Sequence, residues 1–367
     1  MDINYFPSTS LLMVVLLCFS ISFAKRNVFF SKRRTNYFVS ASLTNIVLLL
    51  LQSSDLLLEP SDSQYVWLLR IVINCLGFTL SPLIPYFLYM LNCKCTKKRK
   101  ALLNIPLIVN TLLCLVSTKT GIIFSIDSTN QYTRGSFFLI PLLVSSFYWL
   151  ALLYVIPKTS QNKFNKHEKS FLFYLSAVIM VSVSIQIFAS EIILIWHATG
   201  ASLILYYIFL HELYSKYDPL TGILNRAAYE KELEMIQNSR NVAFVLFDLN
   251  ELKQINDSLG HAVGDLAIIN AAKSINYSFR HLGDSYRIGG DEFVTICDNA
   301  NEKMIESALI RLNKTLAKIQ TTQSISISLA SGYSFYKKNS LVSIYTILKQ
   351  ADTAMYQSKA QSKLNKI

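Results

Sequence analysis

Cysteine is scarce and unpatterned in this chain of 367 residues. The six are Cys18, Cys75, Cys93, Cys95, Cys114 and Cys297, and their spacing makes no disulfide framework. That excludes a stapled secreted scaffold and suits a reducing compartment. Cys93 and Cys95 form the one close pair and are expected to be ordinary thiols at the edge of an apolar run. Acidic residues are also short, at 23 Asp+Glu against 35 Lys+Arg. Residues 1–213 hold 17 basic against 8 acidic, a net of +9, and residues 214–367 hold 18 against 15, a net of +3. The basic excess therefore belongs to the first half and argues against nucleic acid as its partner. No Gly- or Ser-rich linker separates the halves, so a short helical connection is expected, one that passes rotation rather than absorbing it. A basic stretch before the first apolar run is missing too, which argues against a signal peptide.

What is abundant is apolar: 52% of the residues are hydrophobic and the mean hydropathy is +0.35. Runs long enough to approach or span a bilayer lie at about 8–24, 36–52, 65–92, 101–118, 136–156, 170–189 and 192–212. Residues 25–34, 94–100 and 158–169 hold 14 of the 17 basic residues of this half, while 53–64 hold Asp55, Glu59 and Asp62 with no Lys or Arg. By the positive-inside rule the basic loops face the cytoplasm. Seven spans with an external N-terminus then place residues 214–367 on the cytoplasmic side of the inner (cytoplasmic) membrane. Pro82 and Pro85 are expected to kink their span. Glu191 is assigned to the water interface and His197 to a polar face of the bundle.

The second half alternates strands with helices: a helix over 226–237, a buried strand over 242–247, a polar loop, a helix over 265–279, and a hairpin over 285–297. A helix over 302–319, a strand over 324–336 interrupted by Gly332, and a closing helix over 341–359 complete it. The expected fold class is an α+β domain with a mixed sheet, behind a multi-pass helical membrane region. Two places carry chemistry. The run Val242, Ala243, Phe244, Val245, Leu246, Phe247 reads as a central strand that ends on Asp248, an acid that needs a partner. At the hairpin tip stand Gly289, Gly290, Asp291 and Glu292, where the glycines let a ligand approach bare backbone. A cation shared by Asp248 and Asp291 would account for both acids.

Residues 248–265 and 287–293 resemble the GGDEF family of diguanylate cyclases. Asp218, Pro219, Leu220, Thr221 and Gly222 look like its opening signature, and residues 351–359, from Ala351 to Lys359, look like its closing helix. The resemblance covers the last two-fifths of the chain and implies a palm-like sheet. It implies condensation of two GTP to cyclic di-GMP and two pyrophosphates, with Mg²⁺, or Mn²⁺, as cofactor.

It also implies roles. Asp248, Asp291 and the Leu249 carbonyl are metal ligands, and Asp291 and Glu292 are the candidates for the 3′-hydroxyl proton. Lys253 lies on the phosphate side, with Leu252, where the family commonly has Phe, offering its N–H to the triphosphate. Asn256 and Asp265 read guanine, and His261 on the substrate-binding side packs the loop or backs a residue that touches substrate, without acting as a base. Gly289 and Gly290 admit the nucleotide. Lys359 and Lys363 share a helix face toward substrate, Lys363 standing where the family usually has Arg. The family's product-binding Arg-x-x-Asp is displaced: Arg280 is present, position 283 is Gly, and Asp284 falls one place late, so that site is expected to be absent or weak.

The leading expectation is a membrane-bound homodimeric cyclase under a sensor-like region. The alternative is a catalytically inactive receptor or GTP-binding scaffold. A transporter would show paired intramembrane charges and an internal repeat, which are lacking, and nothing marks a phosphodiesterase half.

Overall fold

The computed structural model describes residues 5–27, 30–61, 65–93, 95–159, 166–188, 194–236, 239–323 and 327–364. The chain divides into two compact units, Met1–His211 and Glu212–Ile367.

The first unit contains α1 (Tyr5–Arg26), α2 (Lys32–Leu58), α3 (Val66–Leu80), α4 (Leu83–Asn92), α5 (Lys97–Thr120), β1 (Phe124–Ile126), β2 (Tyr132–Arg134), α6 (Ile140–Thr159) and α7 (Lys166–Phe188). A further helix, α8 (Ile195–Ser215), carries the chain across the division. Among the described residues, Pro7–Arg26, Lys32–Leu58, Val66–Asn92 and Lys97–Thr120 are long and apolar enough to cross a membrane. Ile140–Val155 and Phe173–Phe188 are shorter apolar helices. Between α3 and α4 the helix breaks at Ser81 and Pro82, as the missing proline N–H dictates. Glu191 lies outside the described residues; His197 Nε2 is 3.2 Å from Ser10 Oγ.

The burial pattern of this unit is inverted relative to a water-soluble bundle. Leu11, Leu12, Phe19, Leu102 and Leu112 are exposed, while Ser42, Asn45, Arg70 and Asn110 are buried. Apolar side chains on the outside of a helical bundle are the arrangement a lipid surround would favour. Arg70 is only 1% exposed and is fully engaged. Its Nε donates to Asp55 Oδ1 at 2.8 Å and its Nη1 to the Asn130 carbonyl at 2.6 Å, and Asn130 in turn donates to the carbonyls of Leu58, Glu59 and Ser61. This knot ties the β1–β2 hairpin, which the sequence pattern did not reveal, to the end of α2.

The second unit contains β3 (Leu224–Asn225), α9 (Arg226–Ile236), β4 (Val242–Leu249), α10 (Leu252–Leu259), α11 (His261–Phe279), β5 (Gly283–Arg287), β6 (Glu292–Asp298), α12 (Glu302–Gln323), β7 (Leu329–Tyr336) and α13 (Ile344–Leu364). The sheet order is β3-β5-β6-β4-β7, with β3–β5 parallel and the other pairs antiparallel. A mixed α+β sheet is therefore present. Alternation along β4 feeds two cores. Ala243, Val245, Phe247 and Leu249 pack with α11 and α12, whereas Val242 and Phe244 pack with residues of α9 and α13. Helices on both faces explain why β4 reads as an unbroken apolar run.

Two expectations need correction. The segment assigned to a polar loop is helical: α10 forms because Leu252 and Ile255, three apart, pack against the core while Lys253, Gln254 and Asp257 face water. Gly332 does not interrupt its strand. It pairs with Leu246 inside a continuous β7, and a Cβ there would sit 2.2 Å from the Met355 nitrogen, so the glycine lets α13 press on the sheet.

Candidate active site at the β4–β6 sheet end

Asp248 is the next-to-last residue of β4 and pairs directly with Glu292, the first of β6. The Leu249 N–H donates to the Asp291 carbonyl at 2.9 Å. Asp248, Glu292 and Asp291 thus gather at one end of one strand pair, although 43 or more positions separate the first from the others in sequence (291 − 248 = 43). Side chains alternate along a strand, so Asp248 shares a face with Val242 and Phe244, toward α13. The Lys359 ammonium on α13 lies 2.5 Å from Asp248 Oδ1. Asp248 is 8% exposed, and a carboxylate that buried needs a cation beside it.

The hairpin tip is not a two-residue glycine turn. The Ile288 and Gly289 N–H groups both reach the Glu292 carbonyl, at 3.0 and 3.4 Å. Neither Gly289 nor Gly290 has a positive φ. Space is the reason for them: a Cβ on Gly289 would lie 2.6 Å from Glu292 Oε2, and nothing lies within 4 Å of the Gly290 position. Bare backbone at Gly290 faces an open approach.

Arg287 holds this tip in place. Its Nε donates to the Gly289 carbonyl at 3.2 Å, its Nη2 to the Gly290 carbonyl at 2.8 Å, and its Nη1 to Asp218 Oδ1 at 3.1 Å. Asp218 Oδ1 also accepts from the Thr221 N–H and hydroxyl at 2.8 and 2.6 Å. Burial pushes the Asp218 carboxyl upward, and the Thr221 and Arg287 hydrogen bonds outweigh it, holding the carboxyl below its ordinary value. Sequence reasoning quoted both residues and missed their partnership. Nothing in a linear pattern joins positions 69 apart.

A polar corner is built on α10 and α11. Glu251 at φ +59° turns the chain from β4 into α10, a left-handed conformation that costs a side-chain-bearing residue about 1–2 kcal/mol. Leu252 and Lys253 occupy the first turn of α10, where helical N–H groups lack intrahelical acceptors. The Leu252 side chain packs on the core and Lys253 is exposed. Gly260, at φ +85°, makes the sharp corner into α11. Across that corner the Asn256 carboxamide lies over Gly264, where a Cβ would meet its Oδ1 at 1.9 Å. Asp265, the next residue, is exposed just past the first turn of α11. Gly264 is the residue that lets the Asn256 carboxamide pack against the start of α11. His261 begins α11 and is exposed rather than packed in a loop.

Of the remaining site residues, Lys359 faces Asp248, and the Lys363 side chain lies outside the described residues. Arg280 stacks over the Tyr277 ring at 4.8 Å and donates to His281 Nε2 at 3.0 Å. Among the described residues no three His, Cys, Asp or Glu side chains cluster as a metal cage. Two carboxylates and a backbone carbonyl are instead a donor set suited to a hard divalent cation completed by substrate or water oxygens.

Fold and site together define an α+β domain with acids and a lysine at one sheet end and a polar helical corner beside them. Residues 215–365 match the family described as "Diguanylate cyclase, GGDEF domain", and the C-terminal unit belongs to that family. Probable diguanylate cyclase DgcJ of Escherichia coli is 35% identical over 147 residues, which cover 39% of this chain and 29% of DgcJ. Diguanylate cyclase DgcN of the same organism is 32% identical over 155 residues, 40% of this chain and 37% of DgcN. The chain thus spans about a third of the length of these curated relatives. The GGDEF domain of YfiN (TpbB) from Pseudomonas aeruginosa is 30% identical, with 38% of this chain and 92% of that one covered at a TM-score of 0.32.

Proposed function

We propose that the chain is a membrane-bound diguanylate cyclase that joins two GTP into cyclic di-GMP and releases two pyrophosphates. The observation that carries this is the register placing Asp248 opposite Glu292 and beside Asp291, with Lys359 on the same sheet end. Each 3′-hydroxyl attacks the α-phosphorus of the other nucleotide, and pyrophosphate leaves. Such transfers respond mainly to positioning and charge neutralisation.

Asp248, Asp291 and the Leu249 carbonyl are the residues that would hold a divalent cation, Mg²⁺ in this reading. When bound, that ion neutralises charge on the phosphate oxygens. Lys253, the first-turn N–H groups of α10 and Lys359 hold the triphosphate, and Lys363 extends that basic face. Asp291 and Glu292 are the two carboxylates available to take the hydroxyl proton. Asn256 and Asp265 accept and donate to the guanine edge in a pattern adenine does not match. Each domain carries one GTP, so two chains must face each other and a homodimer follows. The apolar helices anchor the protein with seven spans, the N-terminus outside and the GGDEF domain in the cytoplasm. The displaced Arg280 and Asp284 leave product feedback weak or absent.

Full-length protein in lipid nanodiscs, given Mg-GTP, is expected to form cyclic di-GMP detectable by mass spectrometry. Asp291→Ala should lower the rate at least about 10³-fold, or about 4 kcal/mol. Product persisting in that variant overturns the assignment. GTP binding with no product from the wild type moves the protein to the scaffold reading.

A further inference from the structure

The thiols of Cys93 and Cys95 lie 3.3 Å apart, at the short connection between α4 and α5. Both are free, Cys93 buried at 7% exposure and Cys95 half-buried. Two guanidinium groups attend them. Arg33 Nη1 donates to the Cys93 carbonyl at 2.8 Å, and Arg99 donates to the Tyr89 hydroxyl beside the pair at 3.1 Å. We propose that Cys93 and Cys95 are a dithiol modification site that small-molecule disulfides oxidise to an intrachain disulfide, with Cys95 attacking and Cys93 resolving.

The chemistry balances as two exchanges. The Cys95 thiolate attacks one sulfur of the small disulfide, forming a mixed disulfide and releasing one small thiol. The Cys93 thiolate then attacks the Cys95 sulfur, closing the protein disulfide and releasing the second small thiol. The protein loses two hydrogens and the small disulfide gains them. Access sets the order, since only Cys95 is open enough to be reached first.

A soft metal ion is the competing occupant of two adjacent thiols, and the surroundings disfavour it. No third His, Cys, Asp or Glu joins the pair among the described residues, and two arginines lie beside it. Arginines favour thiolate over thiol but repel a bound cation. Burial and the Cys93 thiol hold the Cys95 thiol up, and Arg99 pulls it partly back, which makes the exchange slow, on the order of minutes to hours. Cys297 offers a contrast: it is buried alone in the second unit and pushed up to about 12.

The test uses the full chain in native membranes, treated with oxidised glutathione, alkylated with N-ethylmaleimide and cut with trypsin. Cleavage after Lys94 puts the two cysteines on separate peptides, so a disulfide appears as a linked pair. Wild type should yield that linked pair without retained glutathione. Cys93→Ser should trap glutathione on Cys95, and Cys95→Ser should leave Cys93 modified about tenfold more slowly. Full alkylation of both thiols after oxidation, stable glutathione on the wild type, or Cys93 reacting as fast as Cys95 overturns the proposal.

Discussion

The two units of this protein distribute similar residues in opposite ways. In the first, Leu11, Phe19, Leu102 and Leu112 face outward while Asn45, Asn110 and Arg70 go inside; in the second, Phe244, Phe247, Phe279 and Phe293 are wholly buried. Within the first unit, buried polar groups must find one another, as Arg70, Asp55 and Asn130 do. Within the second, the sheet is packed by helices on both faces, and a buried charge, Asp248, sits at its end where it meets Lys359. Apolar content alone says nothing about which way side chains point. The surrounding solvent decides it.

Substitutions can sharpen or break that contrast. The largest effect is expected at the second core: Phe247→Ala should cost about 3–5 kcal/mol in denaturant unfolding of the C-terminal unit. A cost near zero would mean the core is not where the sheet register puts it. Leu112 and Ile310 come next, because both are 57% exposed and lie on helices of different units. Leu112→Lys should cost about 2.5–3.5 kcal/mol and reduce retention in alkali-washed membranes. Ile310→Lys should stay within about 0.5 kcal/mol. Equal behaviour of the two variants would remove the proposal that the first unit is embedded in lipid.

Smaller effects test the site. Gly264→Ala places a methyl where Asn256 Oδ1 now lies. The Michaelis constant for GTP should rise about tenfold, or about 1.4 kcal/mol, while the fold, read by circular dichroism, is kept. An unchanged constant would remove Asn256 from the nucleobase side. The smallest effect belongs to Asp218. Its carboxyl is held below the ordinary value in the folded state, so its contribution is fully present above the unfolded value of about 3.9 and is lost as pH falls through the folded one. Asp218→Asn should therefore destabilise the second unit near neutral pH by about 1 kcal/mol and match the wild type once the wild-type carboxyl is protonated. A difference that grows on acidification would reverse the assigned sign.

Much of this was legible from the chain. The apolar run before Asp248 and the glycine pair before Asp291 pointed to one sheet end before any coordinates, and the family resemblance alone proposed Lys253, Asn256 and Asp265. The loop between Phe247 and Asp265 was misread because α10 is only eight residues long, too short for its 3.6-residue period to stand out from polar surroundings. Gly332 was misread because a glycine inside a strand pattern usually marks an interruption, whereas here a helix presses on it from outside the strand. The β1–β2 hairpin escaped because three-residue strands leave almost no alternation to detect.

The sequence by itself determined the division into an apolar half and a mixed half, the strand that ends in an acid, and the resemblance that named the candidate residues. Those are local properties, written in composition and short-range periodicity. Only the tertiary structure decided that Arg287 grips both the Gly289–Gly290 carbonyls and Asp218, that Lys359 meets Asp248, and that Gly264 makes room for Asn256. The two long-range pairings join residues 69 and 111 positions apart. Sheet register and helix packing choose such partners, because chain separation sets only the entropy of bringing them together.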